Sequence, residues 1–306
     1  MDKLEKALEK ARQLRGMVLN TPPSDAKGYT VSTPNSQTYA GPKPLNAEPL
    51  SVEEAQLEQR RILAHRTRSA EADVFRILRT QVLQIMNKSG FRTLAITSPN
   101  YGDGKTTIAL NLAMSIALDL KQTVLLVDLD LRKPNLHEFL GLTPTAGLSD
   151  FLLHNTPIPD CLTRLSFDRI SVLPAGKPMD NSSELLGSPK MAALARELKT
   201  RYPDRLVIYD MPPALSQDDS IAFMPHVDAV LMVVRDGVTR TDEIKSTLNR
   251  LSNANIIGTV LNNAKPQRSI DTEKVEHYVA QAKKIAAYIV TVATRLKAKW
   301  DERTSV

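Results

Sequence analysis

Thr97-Ser98-Pro99-Asn100-Tyr101-Gly102-Asp103-Gly104-Lys105-Thr106-Thr107 follows a short apolar run, Thr93–Thr97, and opens an apolar helical stretch, Ile108–Leu118. Strand, glycine-bearing turn and helix in that order are the setting a phosphate-binding loop requires. Small residues let backbone N–H groups turn inward around phosphate oxygens, and the helix N-terminus adds a favourable partial charge. In that reading Lys105 reaches the β- and γ-phosphates and the Thr106 hydroxyl holds Mg²⁺. The match to GxxxxGK[ST] is imperfect, because Pro99 stands at the first glycine position. An ordinary strand-to-helix turn is the plainer alternative, and the flanking strand and helix weigh against it.

Two further strand ends carry acids. Val124-Leu125-Leu126-Val127-Asp128-Leu129-Asp130-Leu131-Arg132 closes one strand with two aspartates and an arginine, and Leu206-Val207-Ile208-Tyr209-Asp210-Met211-Pro212-Pro213 closes another with one. In parallel α/β sheets ligands lie beyond the carboxyl ends of the strands. Asp128, Asp130 and Asp210 are therefore expected to converge on the phosphates, where Mg²⁺ needs carboxylates directly or through water. A lone aspartate at such a place reads more simply as a helix N-cap. Three beside a phosphate loop favour metal and nucleophile handling.

The strand candidates are Thr93–Thr97, Val124–Asp128, Ile170–Leu173, Leu206–Asp210, Ala229–Val234 and Ile256–Leu261. All are continuous apolar runs, the mark of strands covered on both faces. With the helical stretches Ile108–Leu118, Met191–Thr200 and Asp242–Leu251 between them, they imply an α/β fold whose mostly parallel sheet is flanked by helices. Ahead of this core, residues 1–18 show an amphipathic helical pattern, and 19–50 form a proline-rich stretch with the composition of a flexible linker. Ser51-Val52-Glu53-Glu54 has the form of a capping box, with one or two helices expected up to about Lys88. The domain thus runs over 51–306: a helical segment 51–90, a nucleotide-binding core 91–265, and a C-terminal helix and tail 266–306.

The 306 residues, 42% hydrophobic and 24% charged, exclude a disordered or fibrous chain. No apolar run approaches the roughly 18 to 20 residues of a membrane span. The N-terminus alternates charged with apolar residues instead of running basic then apolar, and Cys161 is the sole cysteine, so a cytosolic setting is expected. The five histidines are dispersed without metal spacing. A net charge of +6 permits an acidic partner, but no nucleic-acid recognition motif accompanies it and no nucleic acid is expected.

With these motifs in hand, the chain resembles the bacterial tyrosine kinases of capsule and exopolysaccharide synthesis, themselves similar to the partition and septum-positioning ATPases. The likeness runs from about Ser51 to Lys265 and covers the Walker A, A′ and B elements in order. It includes Gly147-Leu148-Ser149-Asp150-Phe151-Leu152 and Leu173-Pro174-Ala175-Gly176. The resemblance implies that Lys105 and the backbone of Gly102, Asp103, Gly104, Lys105, Thr106 and Thr107 bind the phosphates of ATP. It implies Mg²⁺ held by Thr106 with Asp130 and Asp210, Asp128 as the base that takes the proton from an attacking tyrosine hydroxyl, and Asn262 at the adenine. Relatives carry Glu-x-x-Arg-x-x-Arg on a helix that docks on a neighbouring subunit in a ring. Asp73, Arg76 and Arg79 match it here and imply a homo-oligomer, against the plainer reading of a solvated charged face. A membrane polysaccharide co-polymerase, through its cytosolic tail, is the implied activating partner, and protein tyrosines are the implied substrates.

Three features depart from the family. Asn100 stands where partition ATPases carry a signature lysine, which favours the kinase reading over theirs. The tail 291–306 contains no tyrosine, whereas bacterial tyrosine kinases commonly end in a tyrosine cluster; Tyr29 and Tyr39 are the alternative acceptors. Tyr101 stands inside the phosphate loop where relatives carry something smaller, either to stack on the nucleotide or to face solvent. The basic end of the C-terminal helix, with Lys283, Lys284, Arg295, Lys297, Lys299 and Trp300, suits either anionic lipid or a solvated helix tip. The expectation is a cytosolic ATP- and Mg²⁺-dependent tyrosine kinase, with an ATP-switched scaffold lacking kinase activity as the alternative.

Overall fold

The computed structural model describes residues 50–264, except 67–68, 120–121, 168 and 217. The expected N-terminal helix and most of the linker lie outside the described residues, as do Tyr29, Tyr39 and the C-terminal helix.

All six expected strands are present. They are β1 (Thr93–Thr97), β2 (Thr123–Asp128), β4 (Ile170–Leu173), β5 (Arg205–Asp210), β6 (Ala229–Arg235) and β7 (Ile256–Asn262). A two-residue strand, β3 (Thr163–Arg164), joins them at the edge, giving the order β3-β4-β2-β5-β1-β6-β7. Two residues carry no periodic signal, and β3 exists only through its antiparallel pairing with β4. Every other pairing is parallel.

β1 and β5 are buried along their whole length, as continuous apolar runs require, and successive side chains enter two different cores. Leu94, Ile96, Leu126 and Ile208 pack on one face with α2 (Ala70–Ser89) and α3 (Lys105–Ala117). Ala95, Leu125, Val127, Val207 and Tyr209 pack on the other with α5 (Leu148–His154) and α8 (Pro189–Thr200). Tyr209 is fully buried, edge-on to Phe223 at 4.8 Å, and Tyr202 lies under the Arg205 guanidinium at 4.0 Å, so both tyrosines serve packing.

The capping box at Ser51 does not form. Helix α1 (Glu54–Gln59) begins after Glu53 with no side-chain cap. Leu50 instead bridges to the sheet edge: its N–H donates to Arg164 at 2.9 Å, and its carbonyl accepts from Ser166 at 2.9 Å. That pairing holds the chain extended just before Ser51. The N-cap is found at α2, where the Ser69 hydroxyl accepts from the Ala72 N–H at 3.1 Å. The helix ends at Gly90 in the left-handed region, φ 68°, with Phe91 N–H returning to Met86 at 2.9 Å.

The two family-like stretches after β2 and β4 prove to be one junction. Leu148 and Ser149 N–H groups donate to the carbonyls of Pro174 and Ala175, each at 2.8 Å. A Cβ on Gly147 would stand 2.4 Å from Gly176 N and 2.7 Å from Pro174 O. Both obstacles are backbone, so neither can swing aside. Gly147→Ala is expected to lose about 3 kcal/mol, read as a lower urea midpoint at unchanged slope. An unchanged midpoint would mean that the two loops do not touch.

Candidate active site

The site is assembled by register. Asp128 at the end of β2 pairs with Asp210 at the end of β5, and Ile96 of β1 pairs with Asp210 on its other side. The three strand ends therefore open at one level, with the phosphate loop rising from β1. Gly102 (φ 84°) and Gly104 (φ 97°) occupy the left-handed region, where a side chain would strain the loop. The start of the loop is tied to the Pro212-Pro213 turn: Thr97 Oγ1 donates to Pro212 O at 2.8 Å, and Ala214 N–H donates to Ser98 O at 2.8 Å.

Lys105 points into this opening, with only 5% of its surface exposed. Its ammonium lies 3.1 Å from Asp130 Oδ2 and 3.7 Å from Asp210 Oδ1. Thr106 Oγ1 donates to Asp210 Oδ2 at 2.6 Å. Asp128 is held by two backbone donors, Asp130 N–H at 3.0 Å and Leu136 N–H at 3.2 Å. All three aspartates are fully buried. Burial opposes the charge on Lys105, but Asp210, Asp130 and Asp128 together outweigh it and raise its pKa. Burial, reinforced by Asp210, pushes the Asp128 carboxyl up to about 7. Burial also raises Asp210, against the pull of Lys105 and the Thr106 hydroxyl.

Three buried acids thus share one ammonium. Asp130→Asn relieves that imbalance and should stabilise the nucleotide-free protein by about 1 to 2 kcal/mol. Thermal unfolding without nucleotide checks this, and a fall in melting temperature would show that the cluster is already balanced.

The cluster fits a divalent cation. Asp130 Oδ2 and Asp210 Oδ1 are buried oxygens whose one cationic neighbour among the described residues is the Lys105 ammonium, which leaves lone pairs on both for a metal ion. Among the described residues no group of three or more His, Cys, Asp or Glu forms a ready metal cage. Mg²⁺ does not require one, since it is commonly bound through one or two carboxylates, waters and substrate phosphates.

Asp103 and Asn262, expected at the nucleotide, make contacts within the protein. Asn262 Nδ2 donates to the Asp103 carbonyl at 2.8 Å, and its Oδ1 accepts from Asn263 N–H at 2.9 Å. Tyr101 is 38% exposed, and the Lys133 ammonium sits 4.5 Å from its ring centroid. Lys133 N–H also donates to Asp130 Oδ1 at 3.2 Å, a turn within the loop after β2, and it is the Lys133 side chain that reaches the phosphate loop, at Tyr101.

Several neighbours went unread in the sequence. Asn135 Oδ1 lies 3.3 Å from Thr106 Oγ1. Arg132 Nε donates to Ser182 Oγ at 2.8 Å, and Ser182 in turn donates to the buried carboxylate of Asp219. Their sequence separations, 29 to 50 residues, hide them from any local pattern. Arg132 itself was legible as part of the A′ run.

Asp73, Arg76 and Arg79 lie apart from this cluster, on α2. Asp73 and Arg76 form an ion pair, and Arg76 also donates to Arg66 O at 3.0 Å. Arg79 turns toward α3 and donates to Ser115 O at 2.8 Å. Beside them Val74 and Ile77 are exposed. A cavity of about 240 Å³ lies at the opposite end of the strands, bounded by Leu83, Phe91, Arg205 and Leu206, and none of the site residues lines it.

The CobQ/CobB/MinD/ParA nucleotide binding domain family matches residues 94–294. Putative tyrosine-protein kinase EpsB of Ralstonia nicotianae is 35% identical over 181 residues, 59% of this chain and 24% of that protein. Tyrosine-protein kinase YwqD of Bacillus subtilis is 30% identical over 210 residues, 68% of this chain and 87% of that protein. The kinase domain of the Escherichia coli tyrosine kinase ETK superposes with a TM-score of 0.61 at 29% identity, covering 66% of this chain and 79% of that one. The chain spans about a quarter of the length of EpsB and most of YwqD. A match over most of the nucleotide-binding core, together with the YwqD likeness, means that this chain belongs to the bacterial tyrosine-kinase branch of the CobQ/CobB/MinD/ParA nucleotide-binding family.

Proposed function

We propose that this chain is an ATP- and Mg²⁺-dependent protein-tyrosine kinase that regulates exopolysaccharide synthesis from the cytosol. The observation that carries the reading is the buried cluster of Lys105 with three strand-end carboxylates, one of them pushed up to about 7, beyond a phosphate loop. Lys105 and the N–H groups of residues 102–107 bind the phosphates of ATP. Thr106, Asp130 and Asp210 would hold Mg²⁺, which when bound neutralises charge on the phosphates. Asp128 takes the proton of the tyrosine hydroxyl as its oxygen bonds to the γ-phosphorus; the bond from that phosphorus to the bridging oxygen breaks and ADP leaves. A base with its pKa near the working pH suits this step.

Asp73, Arg76 and Arg79, with exposed Val74 and Ile77, form the face on which a second copy docks. The cytosolic tail of a membrane polysaccharide co-polymerase is the activating partner. Among the described residues no helix is long and apolar enough to cross a membrane. The second reading, an ATP-switched scaffold, draws on Asp73 in place of glutamate.

Purified protein supplied with ATP, Mg²⁺ and a tyrosine-containing peptide separates the two. Phosphotyrosine on the peptide supports the kinase. Free phosphate with no labelled peptide or protein supports the scaffold.

A further inference from the structure

Asp103 is the sole acid between Thr97 and Thr107. A carboxylate in a loop that binds phosphates opposes its ligand unless it is turned to another use. Asp103 is 2% exposed and both its oxygens are engaged. Oδ2 accepts from Asn100 N–H at 2.9 Å, bracing the loop across its own turn. Oδ1 accepts from the Thr239 hydroxyl at 2.9 Å.

Thr239 lies in the turn between β6 and α10 (Thr241–Arg250), and its Oγ1 also accepts from Arg235 N–H at 2.8 Å. The hydroxyl is thus committed on both sides: it receives a backbone proton and gives its own to Asp103. Two neighbours join it. Arg235 Nη1 donates to Gly102 O at 3.3 Å, and Asn262 Nδ2 donates to Asp103 O at 2.8 Å. A Cβ on Gly104 would stand 2.0 Å from that same Asn262 nitrogen, so the glycine admits the brace. The ends of β6 and β7 therefore grip the phosphate loop on one side, while the Pro212-Pro213 turn grips it on the other.

We propose that Thr239 is a positioning residue for the nucleotide, holding the Asp103 carboxylate outward so that the loop's N–H groups stay free for phosphate. The proposal rests on the nucleotide-binding reading of the loop. Without the hydroxyl, a nearly buried carboxylate oxygen loses its donor. It then competes for the N–H groups that phosphate needs, or repels the phosphates directly. Both effects act on the phosphates that ATP and ADP share, so both nucleotides weaken alike while the rate at saturation is kept.

The test is fluorescent ATP and ADP binding by the full chain, alongside thermal unfolding, for wild type, Thr239→Val, Thr239→Ser, Asp103→Asn and the pair Thr239→Val/Asp103→Asn. Thr239→Val is expected to weaken both nucleotides roughly tenfold. Thr239→Ser, which keeps the donor, should stay within about twofold of wild type. In the Asp103→Asn background the valine should add less than about twofold, because the charge it would release is gone. Thr239→Ala replaces the valine variant if that one does not fold, with the same expected loss. Wild-type binding with valine and alanine variants unchanged overturns the proposal alone, as does an undiminished valine effect in the Asp103→Asn background. A wild-type chain that binds neither nucleotide overturns the underlying reading, and this proposal with it.

Discussion

Lys105→Met should lower phosphoryl transfer on the order of a thousandfold, the scale seen when one preorganised donor is removed from a transition-state site. The methionine keeps the length of the stem, so the loss reports the ammonium and not a cavity. A second effect accompanies it. Lys105 is the single cation within ion-pair reach of Asp130 and Asp210 among the described residues. Without it, the three acids must take up protons or remain charged in a buried site. Breaking a buried pair from one side costs about 3 to 5 kcal/mol. The variant should therefore melt lower without nucleotide, and more so at alkaline pH, where the acids cannot protonate. Activity within tenfold of wild type would remove Lys105 from the chemistry.

Asp128→Asn is expected to reduce transfer by about a hundredfold or more, the range of a general base. Asparagine keeps the two acceptors that Asp130 and Leu136 N–H groups now share between the carboxylate oxygens only in part, since its NH₂ cannot accept. Nucleotide affinity should change far less than the rate. The pH dependence is the sharper sign. Burial lifts Asp128 from 3.8 to about 7, so the base is lost as pH falls through 7, and the wild-type rate should fall with it. That limb should vanish in the variant. For stability the sign is opposite: the folded protein keeps a proton that the unfolded chain releases above 3.8. This contribution is thus fully present below 3.8 and is lost as pH rises to about 7. A wild-type rate that is flat between pH 5.5 and 8 would assign the proton to another group.

Much of the architecture was legible because burial on both faces writes itself as uninterrupted Val, Ile and Leu. β1, β2, β4, β5, β6 and β7 each fall within one residue of the runs that predicted them at either end. β3 was not legible, because a two-residue edge strand is made by its neighbour. The Ser51 capping box failed for a related reason: Leu50 is bonded to the sheet edge, a contact more than 100 residues away that no local pattern contains. The acids at the ends of β2 and β5 could be read from the strands they close, since register alone brings Asp128 beside Asp210. Asn135, Ser182, Asp219 and Thr239 could not, because each meets its partner across 29 to 136 residues of sequence, with no strand register to announce the contact. Gly147 was visible as a motif, yet its cause, the backbone of Gly176 against it, needed the fold.

The most direct measurement is phosphoamino-acid analysis of the purified protein after incubation with γ-labelled ATP and Mg²⁺, with Lys105→Met and Asp128→Asn beside it. Labelled phosphotyrosine in the wild type and none above background in either variant is the predicted result. Label on tyrosine that persists in both variants would contradict the assignment of this cluster as the site of phosphoryl transfer.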